Sequence, residues 1–496
     1  MYKYSENQIL LPHEFFLPFG GKLNPENRWC KLAAMIPWHK IEQRYAKNFK
    51  NLRKGQVANS GRIALGSLII QSQKSLSDRD TVQELTENVY LQYFIGLPGF
   101  VDKAPFDPSL MVHFRKRLGR QMLNEINEWI ANPTKEFGKK DSDNDDNNHG
   151  SSSGNGGDAG SSEKQAEPGA PGESENRGQL ILDATCVPAD IHFPTDIWLL
   201  NKVREALEEV IDTLHAPLAG TEKKPRTYRN RARKDYLNID KKKHKTYKEI
   251  RRGIRQQLGY IKRDFSIIDR LEPKSSLTLL TPKQYRSLLV GREIYRQQAS
   301  MFHGKQHKIP DRIVSLHMPF IRPIVRGKTN ADVEFGAKLS ISVVNGFSYM
   351  ESLSFDAYNE GTTLQQSAEN YNRRFGNYPE AIIADKIYRN RENLQFCKMN
   401  HIRFSGPPLG RPAKDPEVLK EQRKQEVLDS GIRNAVEGKF GEGKRYYGLG
   451  RIMTRLQDTS ESVIALQLLV MNLEHRLRLL LYYFFKVHFK PNLLAC

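Results

Sequence analysis

From Asp141 to Asn176 the chain offers no apolar side chain larger than alanine or proline. It runs from Asp141-Ser142-Asp143-Asn144-Asp145-Asp146 through Ser/Gly repeats to Glu173-Ser174-Glu175, with nine acidic residues against one lysine. Such a segment cannot bury enough apolar surface to offset its ordering entropy, which predicts a disordered acidic linker over 135–177. The 496 residues also exceed the usual size of one core. The expected units are therefore 1–134, 178–475 and a C-terminal tail, 476–496.

Residues 24–134 read as all helical. Ile63, Leu65, Leu68, Ile69 and Ile70 mark a helix over Arg62–Gln73, and Thr81 with Glu84 forms a capping-box pattern. Asp107 is the expected N-cap of a third helix, with Pro108 at its first position and Leu110, Met111, Phe114, Leu118, Met122 and Ile126 at helical spacing. This pattern suits a helix-turn-helix DNA reader and a dimerisation bundle equally.

Beyond the linker, helical spacing returns from Ile197 to Leu214 and continues to about His303, giving a helical insertion over 195–305. Within it, residues 222–252 hold fourteen Lys/Arg against four Asp/Glu, with Tyr228, Tyr236 and Tyr247 interleaved. A basic run is often only a solvated face. This density points further, to phosphate contacts through Arg229, Arg231, Arg233, Lys241, Lys242 and Lys243. The period then changes to short strands over 312–323, 334–344 and 347–355, the last two joined by the hairpin signal Asn345-Gly346. A helix over 360–375, a strand over 379–385, a helix over 390–400 and a strand over 401–405 follow, an α/β pattern.

Two apolar runs end in carboxylates, Asp183 after Gln179-Leu180-Ile181-Leu182 and Asp385 after Ala381-Ile382-Ile383-Ala384. Buried strands ending this way present acids at the rim of a sheet, where oxygen ligands hold hard cations. Arg433, Glu437 and Lys444 would share one helix face, although Gly438, Gly441 and Gly443 argue against a stiff helix there. Three carboxylates holding two Mg²⁺, with Mn²⁺ as an alternative, can activate water or a 3′-hydroxyl for phosphodiester displacement. Asp190, Asp196, Asp332, Glu334 and Glu442 are rival ligands. Cys186 reads as a small buried thiol rather than a nucleophile.

Seventy-seven Lys+Arg against 57 Asp+Glu, a net charge of +20 and a pI near 9.6 suit a polyanionic partner. Double-stranded DNA leads and an anionic membrane follows. The apolar stretch Leu477–Val487 is flanked or interrupted by Arg476, Arg478 and Lys486 and is too short to span a bilayer. The first twenty residues lack a clean signal-peptide core, so the expected location is the cytoplasm. Four cysteines without close pairing argue against disulfides and structural zinc.

Taken together, Leu182-Asp183-Ala184-Thr185, the hairpin Lys338–Phe355, Ile383-Ala384-Asp385-Lys386-Ile387-Tyr388 and Arg433-Asn434-Ala435-Val436-Glu437 with Lys444 resemble the DDE transposases of bacterial insertion sequences. The resemblance covers most of 24–475. It implies a ribonuclease H-like catalytic domain with a helical insertion, plus an all-α N-terminal domain. It also implies Asp183, Asp385 and Glu437 as catalytic metal ligands, binding of terminal inverted repeats, and a homodimer or larger assembly. Relatives often carry Tyr, Arg, Glu and Lys at fixed spacing; here Ser430 stands at the tyrosine position. A hydrolytic nuclease of the same fold and a non-catalytic DNA-binding repressor or transposase remnant are the competing readings.

Overall fold

The computed structural model describes residues 2, 11–17, 20–49, 57–132, 175–328, 331–407 and 415–488. The acidic linker thus falls almost wholly outside the described residues. Its end is tied down: the Asn176 amide donates to the Asn400 carbonyl at 2.7 Å, and the Arg177 carbonyl accepts from the Tyr371 hydroxyl at 2.7 Å.

The N-terminal region is helical, with α1 (Arg28–Met35), α2 (Trp38–Ala46), α3 (Gly61–Lys74), α4 (Asp78–Glu87), α5 (Val89–Phe94), α6 (Leu110–Leu118) and α7 (Arg120–Ala131). Helix α4 begins earlier than Thr81, because the Ser77 hydroxyl caps it by accepting from the Asp80 amide. The helix expected to run from Pro108 through Ile126 is two helices. Gly119, at φ 54° and ψ 162°, turns the chain between α6 and α7.

A mixed sheet follows, built from β1 (Gln179–Pro188) and later strands. Between β1 and the rest lie four helices, α8 (Asp196–His215), α9 (Arg229–Asp240), α10 (Tyr247–Leu271) and α11 (Pro282–Gly304). The apolar faces of α8, α10 and α11 meet in a core of their own, including Leu200, Leu207, Ile261, Ile268 and Ile294, and α9 packs its Tyr236 and Ile239 against Ile197. Then come β2 (Arg322–Lys328), β3 (Ala331–Val344), β4 (Phe347–Ser354), α12 (Leu364–Phe375), β5 (Ala381–Ala384), α13 (Arg391–Met399), β6 (Arg403–Phe404), α14 (Pro416–Tyr446) and α15 (Gln457–His488). Asn345 and Gly346 both take positive φ, 51° and 82°, the turn that matches the twist of the β3–β4 hairpin.

The sheet runs β2-β3-β1-β5-β6, with β4 also on β3. Strands β3 and β4 are antiparallel neighbours, β1 is antiparallel to β3, and β5 and β6 lie parallel to β1 and β5 respectively. Side chains alternate between faces. Leu180, Leu182, Ile382 and Ala384 pack with α12 and α13 residues, whereas Ile181 and Ile383 join α14 and α15 residues. By the same alternation Asp183 and Asp385 belong to the α14 face.

Three expectations need correcting. Residues 312–321 form no strand: Ile313 and Leu316 enter the insertion core while Val314, Met318 and Ile321 enter the main core, so the segment is shared between two cores rather than paired. Helix α14 continues through Gly438, Gly441 and Gly443. Gly443 fits because a Cβ there would stand 2.5 Å from Leu449 Cδ1 and 3.1 Å from Met471 Sδ, where α15 crosses. The tail boundary at 475 falls inside α15, and Arg476 donates to the Ile130 carbonyl at 3.0 Å.

Candidate active site

Asp183 sits within β1, paired across the sheet with Ile341, and one register step past Leu182, which faces Ala384 on β5. That register sets Asp183 beside Asp385, which ends β5 and opens the 3-10 turn Lys386–Tyr388. Each acid accepts from the next backbone amide, Asp183 from Ala184 at 2.8 Å and Asp385 from Lys386 at 2.7 Å. Glu437 reaches the same place from α14. The three carboxylates, Arg433 and Lys444 line one cleft of about 570 Å³, together with Lys338, Glu360 and Cys186.

Arg433 is placed between two of the acids, with Nη1 3.1 Å from Asp385 Oδ1 and Nη2 3.4 Å from Glu437 Oε1. Asp183 is pushed up to about 6, first by burial; the neighbouring charges of Glu360 and Asp385 also raise it, against the Ala184 amide and Arg433. Glu360 is a member of the cleft that the sequence did not single out. It opens the turn Glu360–Thr363 and pairs with Lys338 at 2.9 Å. Its only sequence signal was an acid following Asn359, the signature of an ordinary turn.

Among the described residues, no group of three or more His, Cys, Asp or Glu is gathered closely enough to hold a metal ion. The Arg433 guanidinium instead contacts both Asp385 and Glu437. The donor set is nonetheless all carboxylate oxygen, with more negative charge around Asp183 than Arg433 offsets, which suits a hard dication.

Three of the rival acids are engaged elsewhere. Asp190 accepts from Arg451 Nε at 2.8 Å, Asp196 from Gln298 at 2.8 Å and from Arg312, and Glu442 pairs with Lys439 at 3.1 Å and with Arg478. Glu334 lies in β3 opposite Ile324, and the Asp332 side chain falls outside the described residues. Cys186 is buried at the cleft wall.

The basic tract lies apart, and none of its six named cations lines the cleft. Arg229 is held by Asp212 through two hydrogen bonds, 2.8 and 3.0 Å, and Lys242 is paired with Glu249. Each of these two thus has an acidic partner while its side chain stays partly exposed, 40% and 46%. Arg231, Arg233, Lys241 and Lys243 are exposed. Among the described residues no helix is long and apolar enough to cross a membrane.

Comparison with known proteins bears on both halves of the chain. The model of the Transposase DDE domain matches residues 382–474, and that of the Transposase domain (DUF772) matches residues 18–117. A 104-residue stretch is 34% identical to an uncharacterized protein of the nfe locus of Rhizobium meliloti. That stretch is 21% of this chain, and the chain spans about half, 49%, of that relative. No solved structure matches. The first of the matched segments contains Asp385, Arg433, Glu437 and Lys444, and with a second transposase domain ahead of it the two matches support a DDE transposase of an insertion sequence.

Proposed function

We propose that the protein is a transposase that binds the terminal inverted repeats of the element that encodes it, cuts DNA there and joins the freed ends to a target. The observation that carries the reading is the convergence of Asp183, Asp385 and Glu437, from two strands and a helix, on one cleft with Arg433 and Lys444. The order β4-β3-β1-β5-β6, with the first acid on the first strand and the second after a parallel neighbour, supports a ribonuclease H-like catalytic fold. In this reading Asp183, Asp385 and Glu437 hold two Mg²⁺. The bound ions would supply Lewis acidity for a water and then a 3′-hydroxyl to displace a phosphodiester oxygen.

The chain's own residues do the positioning. The Ala184 and Lys386 amides orient one oxygen of each aspartate and leave its other oxygen for a ligand. Arg433 pairs with Asp385 and Glu437, and would be free to meet a phosphate if a metal held those acids. Lys444, about two helical turns beyond Glu437, steers the flanking strand. Because two ends must be brought together, the working form is a homodimer or larger.

The test is cleavage of DNA carrying both flanks of the encoding gene, with Mg²⁺ present or chelated. Native protein is expected to cut at the ends only with metal. Asp183→Ala, Asp385→Ala and Glu437→Gln each lose cutting by at least about a thousandfold, a scale set by removal of a group acting in the transition state, while still binding the ends. Retained cutting by any of the three would remove that residue from the site. Joining of supplied pre-cut ends separates a transposase from a hydrolytic nuclease.

A further inference from the structure

Resting on the reading of a DNA-processing enzyme, we propose that duplex DNA lies along the outer face of α10, its phosphates on Lys248, Arg252, Arg255 and Lys262 and its closest approach at Gly259. These five positions recur at steps of four and three, so they form one stripe. All are exposed, while the opposite face, with Leu258, Ile261, Phe265 and Ile268, is buried in the insertion core. At 1.5 Å per residue the stripe is about 21 Å long.

Among the described residues none of the four cations has an ion pair, although Arg229, Lys242 and Arg292 close by are neutralised by Asp212, Glu249 and Asp269. Like charges three and four apart destabilise a helix. A stripe of four without counter-charge is therefore unfavourable in the free protein, and that cost is offset when a polyanion covers it. Gly259 adds an independent observation. Glycine is a poor helix former, and a Cβ there would meet nothing within 4 Å, so no internal contact requires its absence. Without a side chain, the helix backbone can come close to an external surface.

Helix α9 widens the face. The Gln257 amide donates to the Ala232 carbonyl at 3.1 Å and Tyr260 donates to Asp235 at 2.8 Å, which brings exposed Arg231 and Lys234 alongside. Arg263 lies over two rings, 4.8 Å from the Tyr228 centroid and 5.7 Å from the Tyr260 centroid. A lipid surface fits less well, because membrane helices insert an apolar face and that of α10 is already buried.

The test is fluorescence anisotropy of the full chain with two duplexes, one from the gene's flank and one of random sequence, across a salt series. Replacing Lys248, Arg252, Arg255 and Lys262 together by Gln is expected to weaken both at least about tenfold. It should also flatten the slope of log affinity against log salt by about three to four, at roughly 0.9 per phosphate contact. Gly259→Leu should weaken binding severalfold without lowering Tm. Native affinity and slope in the four-residue variant, with native protein binding normally, would overturn this surface alone. Failure of native protein to bind either duplex would overturn the surface and the functional reading together.

Discussion

Arg433 contends with any cation for the same oxygens, since its guanidinium touches Asp385 and Glu437. Both acids are about half exposed, so the contacts are worth only about 0.5–1 kcal/mol. Arg433→Ala should therefore tighten Mn²⁺ binding by about two- to fivefold in calorimetric titration, by the same energy, while end cleavage falls. Unchanged or weaker Mn²⁺ binding would show that Arg433 does not compete. At this scale the sequence was informative at Asp385, which directly follows a buried strand, and only in part at Asp183, which lies within β1 because the strand continues past it to Pro188. It was silent at Glu360, which acquires meaning only when the turn after β4 folds against β1. Nor could spacing alone reveal that Arg229 and Lys242 have acids of their own, because Asp212 is seventeen residues away on another helix.

Among the elements, α10 carries the most unusual internal residue. Asp264 is 0% exposed and neither carboxylate oxygen has a hydrogen-bond partner. It faces Arg204 and Glu208 from α8, with Arg229 and Arg263 nearby; Arg204 is already committed to Glu208 and Asn201. Burial, and then the charge of Glu208, push Asp264 up to about 8 from an ordinary 3.8. A carboxyl whose folded pKa is raised favours folding most below its unfolded pKa, and that advantage is lost as pH rises toward the folded value. The insertion should thus lose stability between about pH 4 and pH 8 and then level off. Asp264→Asn should raise Tm at pH 8, by an energy on the order of several kcal/mol, and change it little at pH 4. An equal effect at both pH values would mean that ionisation is not the cause. The helices of this region were legible because their apolar spacing is strict. The segment after them was misread because alternating Val, Ile and Leu residues at 313–321 serve two cores, a pattern that imitates a strand without pairing as one.

The whole molecule is divided differently from its sequence. The acidic stretch suggested that the N-terminal helices stand alone, yet their apolar residues, one face of the sheet and α15 form a single continuous core, while the insertion keeps its own. No local pattern announces this, because α15 comes from the far end of the chain. Its hinge is a buried polar junction. Asn472 of α15 donates to Asn127 of α7 at 2.8 Å and to the Ser348 carbonyl of β4 at 2.8 Å, and accepts from the Ser348 amide at 2.9 Å. All three residues are at most 2% exposed. Asn472→Leu would strand the Ser348 amide and leave Asn127 with fewer partners, costing about 2–4 kcal/mol, since an unsatisfied buried group loses more than the bond itself. If the three parts share one core, hydrogen exchange should then speed up together in α7, β4 and α15, and leave the α8 and α10 amides as protected as before. Loss of protection in α15 alone would instead make the N-terminal helices and the sheet independent units, joined only by contact.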